Sequence, residues 1–168
     1  MRKKFGAQGQ KVLKIIHLCM AGVWLGGAVA LFLMILLLDT GESGDQVHAY
    51  DLAREFVDDF ILVPGAMGCL LSGLLISWAT PWGFFKHRWV AVKWLLTVAG
   101  ILYGPFVLGP PLYSQAPISG AQGLSALVNP EYMANRLWNV AGGAMQLFLL
   151  CFMVAVSVIK PWKSRKNS

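Results

Sequence analysis

The chain has 168 residues, of which 57% are hydrophobic and only 13% charged, with a mean hydropathy of +0.59. This composition lies outside the range of water-soluble globular domains. The net charge of +6 does not indicate nucleic-acid binding either, because the cations flank the apolar segments instead of forming one basic patch.

Four long apolar segments follow one another, at about residues 13–38, 57–79, 89–109 and 135–159. Each is long enough to cross a hydrocarbon core of about 30 Å as an α-helix, which takes roughly twenty residues. None alternates apolar and polar residues as a membrane strand does. The sequence therefore predicts an all-α transmembrane four-helix bundle, forming a single integral membrane domain over residues 1–168 in contact with the lipid bilayer.

The first segment follows the basic start MRKK, as the apolar core of a signal peptide would. Its apolar run exceeds the roughly 7–15 residues of such a core, so we predict an uncleaved first span.

The charged residues are divided between the two sides of the predicted bundle. Eleven of the fourteen cations precede helix 1, lie between helices 2 and 3 or follow helix 4, whereas all eight acidic residues fall on the other side. The positive-inside rule then places both termini of this multi-pass protein in the cytoplasm. The basic ends are expected to meet anionic lipid headgroups.

The two connections on the acidic side differ in character. The second half of the segment between helices 1 and 2 is predicted to continue helix 2 outward as an amphipathic extension. Between helices 3 and 4, prolines and glycines predict the end of helix 3 and an irregular stretch over 109–135, with a short turn at GLSALV. Arg136 is expected to pair with Asp58 or Asp59 at the outer surface.

Small residues recur at a spacing of about four in the first two helices and cluster as AGGA at 141–144 in the fourth. They are Gly22, Gly26 and Ala30 in helix 1, and Gly65, Gly68 and Ser72 in helix 2. Such faces predict close helix packing in lipid and leave a homodimer or another membrane-protein partner open. The three cysteines, at 19, 69 and 151, form no CxxC motif and are expected to pack as small apolar residues.

Lys93 is the only formally charged residue in the apolar run 89–108, and His17 lies near the start of helix 1. Both helices enter the membrane from the same side, so the two residues are predicted at similar depth and able to share a site. Lys93 either extends to the headgroups or holds an anionic group inside the bundle. His17 is either an interfacial histidine bonded to a helix carbonyl or a ligand.

Asn139 and Gln146 lie on a polar stripe of helix 4, which serves either helix–helix hydrogen bonding or a site. The site hypothesis is haem b, with His17 as the axial ligand of the iron, Lys93 against a propionate and Asn139 beside them. No second histidine lies in a predicted span. Copper binding through His17 and its neighbours Cys19 and Met20 is weaker, because adjacent positions diverge around a helix.

Four phrases carry a resemblance over nearly all of the chain: LKIIHLCMAGVWLGG (13–27), FILVPGAMGCLLSGL (60–74), HRWVAVKWLL (87–96) and VSVIKPW (156–162). They resemble an uncharacterised family of bacterial four-helix integral membrane proteins, a domain of unknown function. More distantly, they resemble CopD-type copper-resistance proteins and HemJ-type haem-b protoporphyrinogen oxidases.

The oxidase-like pattern has a histidine early in helix 1, a lysine in helix 3 and an asparagine in helix 4, which His17, Lys93 and Asn139 match. This chain has Ala91 and Gly104 where that pattern has histidines, and Val140 where it has an acidic residue. The resemblance therefore implies the fold and a haem-site hypothesis, and does not imply oxidase activity.

The sequence favours a non-catalytic membrane component, such as a transport accessory or assembly partner. A small b-type haem or quinone-linked redox protein, with His17 as ligand, stays the first alternative and a copper-handling protein the second.

Overall fold

The computed structural model describes residues 6–37, 43–80, 83–85 and 87–160. Its helical elements are α1 (Ala7–Leu37), α2 (Gly44–Val57), a first π segment (Asp58–Leu62), α3 (Val63–Ala79), α4 (Arg88–Tyr103), a second π segment (Gly104–Leu108), α5 (Gly109–Tyr113), α6 (Gln115–Gln122), a 3₁₀ helix (Gly123–Val128) and α7 (Pro130–Ile159). The described residues contain no strand, which confirms the all-α prediction.

Four helical stretches are long and apolar enough to cross a membrane, and we call them spans 1 to 4: Ala7–Leu37, Gly44–Ala79, Arg88–Val128 and Pro130–Ile159. Each contains most of one apolar segment predicted from the sequence and extends beyond it. Spans 1 and 2 run antiparallel, because residues later in α1 contact residues earlier in α3. The end that carries both described termini is called the terminal side, and the opposite end the acidic side.

The predicted outward extension of helix 2 is confirmed. Ser43 caps α2 by accepting a hydrogen bond from the Gln46 N–H at 3.3 Å, and the helix continues through the first π segment into α3 without a break. The extension is amphipathic, and its inward face carries Val47, Asp51 and Arg54.

The predicted irregular stretch between helices 3 and 4 is wrong. The helix continues through the second π segment and α5 to Tyr113, α6 follows, and the residues GLSALV form the 3₁₀ helix. Prolines normally end a helix because they lack the N–H and clash with the carbonyl four residues earlier. Here Pro105 stands in the first turn of the second π segment, and Pro110 and Pro111 stand in the first turn of α5, where a missing N–H leaves no intrahelical bond unmade.

Inside the bundle, α1 packs against both α3 and α7, and α7 also packs against α4, whereas α3 and α4 contact each other sparsely. The largest buried cluster consists of Trp24, Ala28, Ala66, Cys69, Leu150 and Met153. The sparse contact leaves space between α3 and α4, and two cavities adjoin these helices.

Small residues determine the packing of α1 on α3, in a register that differs from the prediction. A methyl carbon at Gly65 would lie 2.8 Å from the backbone nitrogen of Trp24, so Gly65 packs as predicted. Gly22 and Gly26 have no described atom within 4 Å of that position, and Gly27 contacts Leu62 instead. The contact face of α1 is therefore turned by one residue, about 100° around the helix.

The cysteine prediction holds for one residue of the three. Cys69 is buried in the main cluster, whereas Cys19 and Cys151 are exposed on the outside of the bundle.

On the acidic side, α2, α6, the 3₁₀ helix and the first turn of α7 form a second packed unit, which we call the cap. Its buried cluster is Val47, Ala126 and Tyr132. A methyl carbon at Gly44 would lie only 2.6 Å from the Cα of Gly123, so the start of α2 touches the turn that begins the 3₁₀ helix. Gly123 has φ +57°, in the left-handed region that favours glycine.

Candidate functional site

Two cavities lie in the bundle. The basic cavity, of about 270 Å³, opens near the terminal side and is lined by His17 and Lys93. The central cavity, of about 260 Å³, lies towards the acidic side and is lined by Trp24, Gln146 and Asn139. The structure therefore brings together two of the three predicted site residues, and places Asn139 in a different cavity.

The basic cavity collects positive charge. Lys14, Lys93 and Lys160 line it together with His17, and its lining includes no acidic residue among those described. Its walls are otherwise mainly apolar, and the Lys160 ammonium lies 5.7 Å from the centre of the Trp89 ring. A cavity of this kind suits a molecule with an anionic group and an apolar body.

A hydrogen bond to Ser72 fixes the orientation and tautomer of His17. The Nδ1 atom lies 2.9 Å from Ser72 Oγ, and the Ser72 hydroxyl donates to the Gly68 carbonyl at 2.6 Å. Because a hydroxyl carries one hydrogen, Ser72 Oγ accepts at Nδ1, which makes Nδ1–H the donor of His17. The neutral ring then has its lone pair on Nε2, the atom that is able to accept a proton or bind an electron-poor group.

Lys93 is half-buried, and no described residue gives its ammonium a hydrogen bond or an ion pair. Its polar neighbours in the cavity are engaged elsewhere, since Ser77 accepts from Trp94 Nε1 at 3.2 Å and Thr97 Oγ1 donates to Met153 Sδ at 3.5 Å. A lysine at this depth without a partner among the described residues is a candidate functional residue.

In the structure, Asn139 makes helix–helix hydrogen bonds, one of the two roles predicted for it. Its amide fits with Nδ2 donating to the Leu108 carbonyl at 3.1 Å and Oδ1 accepting from the Leu112 N–H at 3.2 Å. The side chain thus joins α7 to span 3 just after the second π segment.

Gln146 lies deep in α7, where an amide without a hydrogen-bond partner is costly. Its Nε2 donates to the Gly100 carbonyl at 3.4 Å, and its Oε1 has no partner among the described residues. Trp24 Nε1, in the same cavity, is also buried without a partner there.

Sequence reasoning missed a buried polar network in the cap. Arg54 is 3% exposed and donates to Asp51 Oδ1 at 3.1 Å and to Gln115 Oε1 at 2.6 Å. The Tyr132 hydroxyl donates to the Asp51 carboxylate at 3.1 Å. The Asp51/Arg54 spacing of three residues was a usable signal for a pair, but nothing local indicated that the pair is buried.

The predicted pairing of Arg136 with Asp58 or Asp59 is also replaced. Arg136 Nη2 donates to the Ile35 carbonyl near the end of α1, at 2.9 Å. The Tyr113 hydroxyl donates to Asp58 at 3.0 Å and to Asp59 at 2.6 Å. The first bond links span 4 to span 1, and the other two link span 3 to span 2.

Within the described residues, no group of three or more His, Cys, Asp or Glu side chains is arranged to hold a metal ion. Cys69 Sγ lies 4.0 Å from His17 Nδ1, the nitrogen that bonds Ser72.

The chain belongs to the family described as "Predicted integral membrane protein (DUF2269)", whose model matches residues 11–161. This confirms the resemblance to an integral membrane family. No curated protein and no solved structure matches the chain.

Proposed function

We propose that this DUF2269 member is a non-catalytic component of the bacterial inner membrane that binds an anionic amphiphile in its basic cavity. The observation that carries the proposal is the unpartnered ammonium of Lys93, in a cavity with two further lysines and no acidic residue among its described lining. Basic pockets between transmembrane helices on the cytoplasmic side are typical binding sites of anionic lipid headgroups.

The groups around the cavity favour a phosphate with a free hydroxyl nearby. Three ammonium groups attract the phosphate, while His17 Nε2 accepts a hydrogen bond from the hydroxyl. The aromatic and aliphatic walls suit an acyl chain. Phosphatidylglycerol has this combination of an anionic phosphate, a hydroxylated headgroup and apolar chains.

The first experiment measures lipid-dependent stability. In detergent, phosphatidylglycerol should raise the unfolding temperature of the protein in a saturable way, and phosphatidylcholine should not. Lys93→Met keeps the apolar stem and removes one charge, so it should weaken the apparent affinity about tenfold, because a charge-assisted hydrogen bond is lost. Lys11→Met is the matched control, since Lys11 is exposed on α1 and does not line the cavity.

Two results would reject the lipid proposal. One is an equal phosphatidylglycerol effect in wild type and Lys93→Met. The other is a Lys93→Met protein that is more stable than wild type and indifferent to the lipid, which indicates a lysine that only extends to the headgroups. A separate arm with free glycerol 3-phosphate tells a soluble phosphate ligand from a lipid.

The proposal requires the terminal side to face the cytoplasm, as the charge distribution predicts. Single cysteines at positions 45 and 165, in a cysteine-free background, test this orientation in intact cells. An impermeant thiol reagent added outside should label position 45 and leave position 165 unlabelled. Labelling at position 165 alone would indicate the opposite orientation, with the terminal side outside the cell.

The redox alternative is favoured by one observation, the Nε2 lone pair of His17 beside a cationic Lys93. An absorption spectrum of protein purified after haem supplementation decides between the lipid proposal and the haem alternative. A Soret band in the wild type that disappears in His17→Ala would reject the lipid proposal and indicate a b-type haem protein.

A further inference from the structure

We infer that the central cavity is a second, separate ligand site, which takes an apolar ring compound with a free phenolic hydroxyl. The inference does not depend on the basic cavity or on its ligand. It rests on two buried polar atoms without partners, on their position and on the shape and lining of the space around them.

The two atoms are Trp24 Nε1, a hydrogen-bond donor, and Gln146 Oε1, an acceptor. Their residues are 2% and 4% exposed, and both line the central cavity. Among the described side chains, the only other buried polar atom without a partner is Gln115 Nε2, in the cap. Buried polar groups are nearly always hydrogen-bonded, so a donor and an acceptor left in one cavity indicate a missing partner.

Both atoms lie around Gly100. A methyl carbon at Gly100 would lie 3.5 Å from Trp24 Cζ2, which is two bonds from Nε1. Gln146 Nε2 bonds the Gly100 carbonyl, and this bond fixes the amide with Oε1 as the free atom. A methyl carbon at Gly100 would also lie 3.0 Å from Leu149 Cδ2, so the helices pack closely beside these two atoms.

One hydroxyl group satisfies both atoms, because its oxygen accepts from the indole N–H and its hydrogen is donated to the amide oxygen. A water molecule has the same groups, but a cavity of about 260 Å³ holds far more than one water. The rest of its lining is largely apolar, with Phe32 and Met67 among the walls. Its other polar side chains, Arg54, Asp58, Tyr113 and Asn139, are already bonded to protein groups, so a chain of waters would find few free partners. The hydroxyl is therefore expected to be attached to an apolar body.

The position of the cavity suits a ligand that enters from the lipid. It adjoins α3 and α4, which contact each other sparsely, and both π segments contribute to its wall through Leu62 and Leu108. π segments are found frequently at functional sites. The reduced, hydroquinone form of a membrane quinone belongs to the proposed ligand class, whereas the oxidised form has no hydroxyl to donate to Gln146.

The experiment uses two bicyclic probes, 1-naphthol and 1-methoxynaphthalene, titrated into the purified full-length protein in detergent by calorimetry. Both probes carry an oxygen that accepts from Trp24, and only 1-naphthol has a hydrogen for Gln146. We expect 1-naphthol to bind about tenfold more tightly, since one buried hydrogen bond changes an affinity by roughly that factor.

Two variants separate the two contacts. Gln146→Leu should weaken 1-naphthol about tenfold and leave 1-methoxynaphthalene unchanged, whereas Trp24→Phe should weaken both probes. Met145→Leu is the matched control, because Met145 is the neighbouring residue on α7 and is exposed. The thermal unfolding of each variant establishes that it is folded.

The inference is overturned if wild-type protein binds neither probe. It is also overturned if folded Gln146→Leu binds 1-naphthol as tightly as wild type, because the amide oxygen would then have no part in binding. Phosphatidylglycerol stabilisation of the same variants reports on the basic cavity, so failure at one cavity is distinguishable from failure at the other.

Discussion

The side chain of Asn139 bonds two backbone groups of span 3, and Asn139→Leu tests how much these bonds contribute to stability. Leucine has nearly the same volume but offers neither a donor nor an acceptor. The variant loses the bonds to the Leu108 carbonyl at 3.1 Å and to the Leu112 N–H at 3.2 Å. Each is worth about 1 kcal/mol net, so we expect a loss of about 2 kcal/mol in the free energy of unfolding.

The assay is equilibrium unfolding in mixed micelles, together with hydrogen exchange at the Leu112 amide. Exchange at Leu112 should become faster in Asn139→Leu than in wild type. The matched control is Asn135→Ala, one turn earlier on α7. It loses a single bond to Ser114 Oγ at 2.8 Å and should cost about 1 kcal/mol or less. If Asn139→Leu is as stable as wild type and exchange at the Leu112 amide is unchanged, the two hydrogen bonds of Asn139 are refuted.

Two further changes test the packing and the buried network by the same unfolding assay. Gly65→Ala places a methyl 2.8 Å from the Trp24 nitrogen and should cost about 1–3 kcal/mol, whereas Gly26→Ala meets no described atom and should be neutral or slightly stabilising. Equal effects at the two glycines would contradict the observed register of α1 on α3. Asp51→Ala leaves the Arg54 guanidinium buried without its carboxylate and should cost about 3–5 kcal/mol, much of it recovered in the double variant with Arg54→Met. A mild single variant would indicate that Arg54 is solvated.

The spans were predictable because apolar length alone determines them, and the meeting of His17 with Lys93 followed from two helices that enter from one side. The register of α1 was not predictable in the same way. Gly22, Gly26 and Gly27 all fit a small-residue face, and only the partner helix determines which face is used. Consecutive glycines point about 100° apart, so the choice between Gly26 and Gly27 depends on contacts with Leu62.

The continuation of span 3 past its prolines could not be predicted from the neighbouring residues either. The rule that proline ends a helix applies to the helix interior, whereas a proline in the first turn is tolerated. The second π segment places the prolines of span 3 in such first turns, and that segment was not predicted. The burial of Arg54 was hidden for a similar reason, because Gln115, which accepts from it, lies in a segment that was expected to be irregular.

The cap has a consequence for the order in which the chain assembles during synthesis. Spans 1 and 2 contact each other more extensively than any other pair of spans, so they are able to form a hairpin as soon as both have left the ribosome. However, the hydrogen bond from Arg54 to Gln115 forms only after span 3 has been made. The bond from Tyr132 to Asp51 also needs the start of span 4. We therefore expect the acidic end of span 2 to stay loose until the second hairpin arrives, and a nascent chain halted before residue 115 to be the form that proteases cut within α2.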